Sequence, residues 1–504
     1  MGWLHADLER LRHVLKASRQ LKNACVLALI SLGAILVEGY HPGVEDDAVY
    51  LSAIQRRLNP ALYPHDAKLF TLQMQASVFD KMMAGWVRVT HMPLAWAELL
   101  GQFLAAFFLL WGCWRIARQC FASAAGQWAG VALVGALFSL PVAGTALYIV
   151  DQYLHPRAIA TGLILAAIVA ILERRVALGS VLLAAAVVMH PIMGAFGVSY
   201  CAILWFAERR GAWRPRAGNA AALAVGIVPA WIFEKPSPAW RAALDTRNYY
   251  FLGRWAWYEW LGAIAPILIL WAMACWARRV DRPAMARLAG CAAVFAVFQL
   301  AVGCLVLLTP GLIRLMPMQP MRYLHLVYVL MAILGGGLLG EKVLQRHAWR
   351  WAVFFLPLAA GMFWAQRGLF AGTEHVELPG VASQNPWLEA FAWVRANTPV
   401  DAYFALDPDY MELPEEDFHS FRALAERSEL ADWVKDAAVA TQVPDLAPLW
   451  VEQTQAAWGW KRFGKQDFEG LRQRFGVDWI VVRGRGVEGL ECPYERDGVA
   501  ACRL

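Results

Sequence analysis

Apolar residues in this chain run in long unbroken stretches closed at both ends by charge. They show neither the alternation of a half-buried strand nor the single stripe of a surface helix. The stretches occupy 23–39, 93–112, 127–147, 158–172, 176–189, 192–207, 218–233, 259–277, 288–309, 323–340 and 351–366. A helix that crosses a bilayer needs about 20 residues, so the pattern predicts an α-helical polytopic membrane protein with about eleven transmembrane helices. The region 176–207 admits one long tilted helix or two short ones meeting at His190-Pro191. Arg174 and Arg175 precede it, and Arg209, Arg210, Arg214 and Arg216 follow it. Basic residues collect on the cytoplasmic side. Both ends therefore share a side, and the chain must cross twice.

The other basic clusters obey the same parity. Lys16, Arg19 and Lys22 lead the first span, and Arg115 with Arg118, Arg278 to Arg287, and Lys342 to Arg350 fall on the same side. This arrangement predicts an inner (plasma) membrane protein with a cytoplasmic N-terminus and an extracytoplasmic, periplasmic or extracellular, tail. Leu4 to Lys22 form a charged amphipathic stretch ahead of the first run, so that span is expected to remain as an anchor. Residues 40–92 then form a first outer loop far longer than ordinary connections. Its Leu51, Ile54 and Leu58 share one helical face, and the segment is expected to lie flat in the membrane interface.

Composition supports the membrane assignment and divides the chain. Only 17% of residues are charged, against about a quarter in soluble proteins. Residues 1–366 carry 32 Lys and Arg against 17 Asp and Glu, whereas residues 367–504 carry 14 against 23. The first part reads as a transmembrane domain, and the acidic second part as a small soluble α/β domain. In that tail the pattern predicts a helix over 386–397, a strand over 403–406, helix over 417–436 and 468–475, and a buried strand over 477–482. Cys492 and Cys502 flank a turn-like stretch and are placed to close a hairpin disulfide in an oxidising compartment.

Candidate chemistry gathers at the outer face. The chain runs from the first span into His41-Pro-Gly-Val-Glu45-Asp46-Asp47, where adjacent carboxylates raise one another's pKa unless a cation or substrate offsets them. The three acids suit a catalytic base, or Asp46 and Asp47 a divalent metal such as Mg²⁺ or Mn²⁺. Capping of the helix that follows is the plainer alternative. Other outer segments are unusually polar: His155 and Arg157 stand in Asp151 to Arg157, Arg254 in Glu234 to Tyr258, and Arg322 in Gln319 to His325. Outward arginines run against the charge rule and point to capture of a phosphate at the membrane surface, with snorkelling toward lipid headgroups as the alternative. His190 is either a helix-end residue at a proline break or a substrate contact.

Outer carboxylates, outer cations and an apolar body fit a lipid-linked phosphosugar, with its phosphate at the surface and its chain between helices. The layout resembles the GT-C superfamily of integral-membrane glycosyltransferases. The resemblance rests on Glu45-Asp46-Asp47 after the first span, the polar Asp151 to Arg157 loop, His190-Pro191, and Gln319-Pro320-Met321-Arg322. It implies that Asp46 or Asp47 is the catalytic carboxylate and that a polyprenyl-phosphate-linked sugar is the donor. From their places in the polar outer segments, Arg322, His155, Arg157, His190 and Arg254 are the candidates for substrate binding.

No phosphate-binding glycine loop, zinc spacing or dinucleotide fingerprint occurs, and the acidic tail carries no basic stripe for nucleic acid. The expected partners are the lipid-linked sugar, membrane lipids and an acceptor the sequence leaves open. Two other classes fit in part: a flippase or transporter of a lipid-linked sugar, and a non-catalytic envelope-assembly scaffold using the tail as a binding module. Asp432 and Lys435 in the tail read as a solvated helical pair.

Overall fold

A computed structural model of the chain describes residues 2–210, 234–413 and 416–504. The first helix, α1 (Gly2–Glu38), ends at Gly39, which adopts φ +90°. A side chain there would lie 2.8 Å from the His375 carbonyl oxygen, so the turn out of α1 requires glycine. The 40–92 segment folds into α2 (Asp47–Leu58), α3 (Lys68–Met74) and α4 (Phe79–Thr90). The membrane-type helices continue with α5 (Leu94–Cys120) and α6 (Ala124–Ala136), then a short hairpin of β1 (Pro141–Val142) and β2 (Leu147–Tyr148). Next come α7 (Pro156–Leu172), α8 (Val176–Met189) and α9 (Pro191–Arg210). The series closes with the short α10 (Pro238–Asp245), α11 (Trp257–Arg279), α12 (Pro283–Leu308), α13 (Leu324–Leu339) and α14 (Ala348–Leu369).

Among the described residues, seven helices are long and apolar enough to cross a membrane, and α6, α7 and α8 are shorter apolar helices. Each of these ten overlaps one of the expected spans. The eleventh, 218–233, lies outside the described residues. His190-Pro191 does separate two helices. The Cβ position of Gly194 lies 2.4 Å from Cα of Val187, whereas seven residues of unbroken helix would rise about 10 Å. The chain therefore doubles back there.

Two expectations about the membrane part need correction. The run 127–147 is not one helix, because α6 stops at Ala136 and the remainder forms the β1–β2 hairpin. Gly144 in its turn sits at φ +62° with Trp255 packed where a side chain would stand. Within the 40–92 segment, α2 does not present one amphipathic face to the membrane interface: every residue from Asp47 to Gln55 is buried. Protein rather than lipid covers it, for Gln55 donates to the Ala423 carbonyl in the tail at 2.8 Å.

The tail forms α15 (Pro386–Asn397), β3 (Tyr403–Ala405), α16 (Phe421–Ala425), β4 (Ser428–Glu429), α17 (Asp436–Gln442) and α18 (Ala447–Ala456). It ends with α19 (Lys465–Phe475), β5 (Trp479–Arg483), β6 (Glu491–Arg496) and β7 (Val499–Arg503). The sheet order is β4-β3-β5-β7-β6, parallel through β5 and antiparallel beyond it. One apolar layer on the sheet packs α15 and α16, and the other packs α19. Cys492 and Cys502 are disulfide-bonded across β6 and β7. The expected helix over 417–436 is instead α16, β4 and a turn. Positive φ at Asp417, Phe418 and Glu426 breaks helical continuity.

The tail is welded to the rest by apolar packing and buried charge. Ala431, Ala437, Val439 and Trp450 belong to the same apolar core as the membrane-type helices. At the seam, the fully buried Arg422 meets Asp66 of the 40–92 segment at 2.6 Å and Asp436 at 2.9 Å, with Glu429 at 3.7 Å. Three carboxylates exceed one guanidinium, and burial pushes both Glu429 and Asp436 upward so that the cluster sheds charge by holding protons. Replacing Arg422 by Met strands these acids in the interior. The expected cost is about 3–5 kcal/mol, measurable as a lowered thermal midpoint in detergent, whereas Arg254→Met at an exposed position leaves the midpoint unchanged.

Candidate active site

The acidic turn is built by the chain's exit from α1. Glu45 takes φ 52°, a left-handed conformation that a non-glycine residue adopts only when its surroundings hold it. Its N–H donates to the Phe418 carbonyl at 3.1 Å, and its carboxylate accepts from Lys435. Asp46 follows as the N-cap residue of α2 yet makes no side-chain capping bond. Its N–H donates to the Tyr153 hydroxyl at 3.2 Å, and Lys435 Nζ donates to its Oδ1 at 3.3 Å. Asp47 turns the other way, accepting the Gly43 N–H at 2.7 Å with its side chain buried.

A cavity of about 770 Å³ opens in front of this turn. Glu45 and Asp46 line it, and Asp47 does not. The Asp46 side chain keeps 38% of its surface, which gives it a free face toward the cavity. Opposing cations come from separate elements: Arg157 from α7, Arg247 from the stretch after α10, Arg322 ahead of α13 and Lys435 from the tail. An apolar flank includes Val49, Met74, Leu147, Met189 and Ile192.

The cations differ in how far they are satisfied. Arg157 is committed to Asp151, with Nη2 at 2.8 Å from both carboxylate oxygens, although its Nη1 is buried without a partner. Arg247 donates to the Trp433 and Val434 carbonyls, while its Nε has no partner. Arg322 is only 9% exposed, its Nε is buried without a hydrogen bond, and no carboxylate within the described residues pairs with it. Three guanidinium nitrogens of cavity-lining arginines thus lack a hydrogen-bond partner among the described residues, and an unsatisfied buried donor costs about 1–3 kcal/mol or more when charged.

His155 and His190 both cap helices. The Nδ1 atoms accept from the N–H groups of Arg157 at 2.9 Å and Met193 at 3.4 Å, respectively. For His155 this fixes the tautomer. The proton resides on Nε2, which has no hydrogen-bond partner and lies 3.7 Å from Asp46 Oδ2. Burial, with Arg157 beside it, lowers the His155 pKa and keeps the ring neutral. Burial alone would raise Asp46, but Lys435, His155 and Arg322 outweigh it and hold that carboxyl well below the usual range. Asp47 is raised by burial. The two adjacent aspartates are thus driven apart in charge state, Asp46 ionised and Asp47 holding its proton longer.

The structure brings Glu45, Asp46, Arg157, His190 and Arg322 to the cavity wall, with His155 directly behind Asp46. It does not bring Arg254, which is exposed, bonds Asn248 at 2.9 Å and stacks over Phe251. Asp46 and Asp47 point apart in this geometry, for one faces Lys435 and the other accepts from the Gly43 N–H. Among the described residues the group whose ligand atoms do converge is His41, Glu377 and His419.

Lys435 overturns the sequence expectation. It is buried rather than solvated, and Asp432 accepts its backbone N–H instead of forming a surface ion pair. Only its pairing across 390 residues with Glu45 reveals the role. No local pattern carries that signal.

A family model described as a domain of unknown function, DUF6798, matches residues 385–447, a stretch that holds His419, Arg422 and Lys435. No curated protein matches the sequence. Among solved structures, the chain is similar to the oligosaccharyltransferase of Archaeoglobus fulgidus in the apo form. Identity is 11% and the TM-score 0.48, over 92% of this chain and 69% of that one. It is also similar to the mycobacterial arabinofuranosyltransferase AftD, at 16% identity and a TM-score of 0.47, over 96% of this chain and 40% of that one. At TM-scores below 0.5 these likenesses carry no part of the functional reading, which rests on the cavity itself.

The unpartnered arginine yields a direct expectation. Inorganic phosphate should bind the cavity, and Arg322→Met should weaken it at least tenfold, in line with the about 1.5–3 kcal/mol of a hydrogen bond to a charged group. Arg254→Met should bind as wild type. Isothermal titration in detergent measures both.

Proposed function

We propose that this chain is a membrane glycosyltransferase that moves a sugar from a polyprenyl-phosphate donor to an acceptor hydroxyl at the outer face of the membrane. The observation that carries the reading is the placement of Asp46, with its free carboxylate face, and Arg322, with its unpartnered guanidinium, on the walls of one cavity with an apolar flank.

In this reading the guanidinium groups of Arg322 and Arg247, which line the cavity, hold the donor phosphate, and the prenyl chain leaves along the apolar flank. The acceptor oxygen forms a bond to the anomeric carbon as the bond from that carbon to the phosphate oxygen breaks. The bonding pair departs with the prenyl phosphate, whose growing negative charge the arginines stabilise. The acceptor proton passes to Asp46. A carboxylate held so far down is a weak base for a resting hydroxyl. It suffices once the new carbon–oxygen bond has made that hydroxyl strongly acidic. His155 Nε2–H faces the same carboxylate and orients it, acting through Asp46 rather than on substrate. Lys435 keeps Asp46 charged until substrate enters.

The test is sugar transfer from a radiolabelled polyprenyl-phosphate sugar by purified wild type and variants. Asp46→Asn should lower turnover by about 10²–10⁴-fold, the usual worth of a positioned base, with donor binding retained. Retention of turnover within tenfold would remove Asp46 from the chemistry. Donor movement across vesicles without sugar release would favour a flippase.

The depressed Asp46 value gives a pH expectation. Activity needs the ionised form, so it persists as pH falls until the depressed value is reached. Lys435→Met removes the strongest influence holding that value down. Its acid limb should move to higher pH than that of wild type in a kcat/KM profile.

A further inference from the structure

Behind the acidic turn, away from the cavity, side chains from three distant stretches converge. His41 follows α1, Glu377 lies in the stretch leaving α14, and His419 precedes α16. Their ligand atoms all lie within 4.8 Å of one another, and both histidines are fully buried. Glu377 Oε1 stands 2.7 Å from Nδ1 of His41 and 3.0 Å from Nε2 of His419. Main-chain pairing fixes each member. Tyr40 bridges Val376, the Glu377 N–H donates to the Tyr40 carbonyl at 2.9 Å, and Val44 bridges His419.

The protons in this trio do not balance for three uncharged contacts. Nδ1 of His419 faces the Glu416 carbonyl at 3.0 Å, an oxygen that only accepts, so Nδ1 carries the proton. A neutral imidazole has one N–H. Nε2 of His419 is then a lone pair aimed at a carboxylate, an arrangement that requires a cation between them. His41 directs Nδ1 at the same carboxylate, is stacked on Phe370 with ring centroids 4.0 Å apart, and has no partner at Nε2. A histidine oriented from behind by a carbonyl is the usual support of a metal ligand. Two imidazoles and one carboxylate suit zinc, whereas magnesium and calcium prefer all-oxygen sites. Tetrahedral zinc bonds of about 2.0–2.1 Å put ligand atoms about 3.3 Å apart. The two Glu377 contacts, at 2.7 and 3.0 Å, open by about 0.3–0.6 Å to reach that spacing.

We propose that His41, Glu377 and His419 bind one zinc-class divalent ion that fastens the tail to the turn carrying Glu45 and Asp46. None of the three lines the 770 Å³ cavity, so the ion is structural and stands apart from the chemistry. Water takes the fourth position beside Glu377, the least buried member, with 12% of its side chain exposed. The proposal holds whether or not the cavity transfers sugar.

The full chain, purified in detergent and dialysed free of loose metal, should carry about one equivalent of zinc by elemental mass spectrometry. Cobalt exchanged into it should give the visible band of a tetrahedral site. Glu377→Gln and His419→Gln should each lose at least tenfold of the metal, whereas Asp46→Asn keeps it, separating this site from the cavity. After chelation, added zinc should raise the thermal midpoint of wild type and not of Glu377→Gln, a readout that serves even for a less stable variant. A wild type that is metal-free and gives no cobalt band would overturn the proposal. So would zinc retained in both site variants. The cation between His419 and Glu377 would then be a proton.

Discussion

A single buried guanidinium holds the two parts of this molecule in register. Arg422 has no exposed surface, and it satisfies Asp66 from the 40–92 segment and Asp436 from the start of α17 at the same time. Charge taken this far from water is tolerable only when its partners are in place. The seam is therefore nearly all-or-none. Because Asp436 is the residue after Lys435, the interaction that docks the tail also sets the ammonium against Glu45 and Asp46. Site geometry and domain docking depend on one electrostatic arrangement.

The cavity divides its charge along the same lines. Carboxylates come from the turn after α1 and from Asp151, Glu259 and Glu412, and cations come from α7, the stretch after α10, the approach to α13 and the tail. No single element contains a working set. Two adjacent aspartates end with opposite tasks because one side chain points into the cavity and the other is spent on the Gly43 N–H. That choice is made by the direction of the chain as it leaves Gly39, whose positive φ turns it beneath His375. The trio of His41, Glu377 and His419 stands a few residues behind the same turn, so the turn is tied on both faces.

Local pattern carried a good deal. Runs of apolar residues marked the helices because a backbone in hydrocarbon must satisfy its own hydrogen bonds. The change from basic to acidic balance near residue 366 marked the tail. The polar turns that hold Asp46, Arg157 and Arg322 stood out because charge beside an apolar run is costly without a partner. Where pattern failed, the cause was local ambiguity. The 127–147 run is apolar throughout, and only Gly144 packed beneath Trp255 shows that it bends into a hairpin. Over 417–436, helical spacing was overridden by residues in left-handed backbone and by strand pairing of Ser428 with Tyr403.

Sequence by itself determined the class of molecule, a polytopic helical body with a small α/β tail, and the acidic turn as a place of interest. These follow from short-range physics: hydropathy over twenty residues, charge balance over a hundred, and turn chemistry over five. Only the tertiary structure decided which acid faces the cavity, that Arg254 stands apart from it, and that Lys435 belongs to it from 390 residues away. Electrostatic pairing acts through space over a few ångströms and is indifferent to separation along the chain. A residue's charge is written in the sequence, and its partner is chosen by the fold.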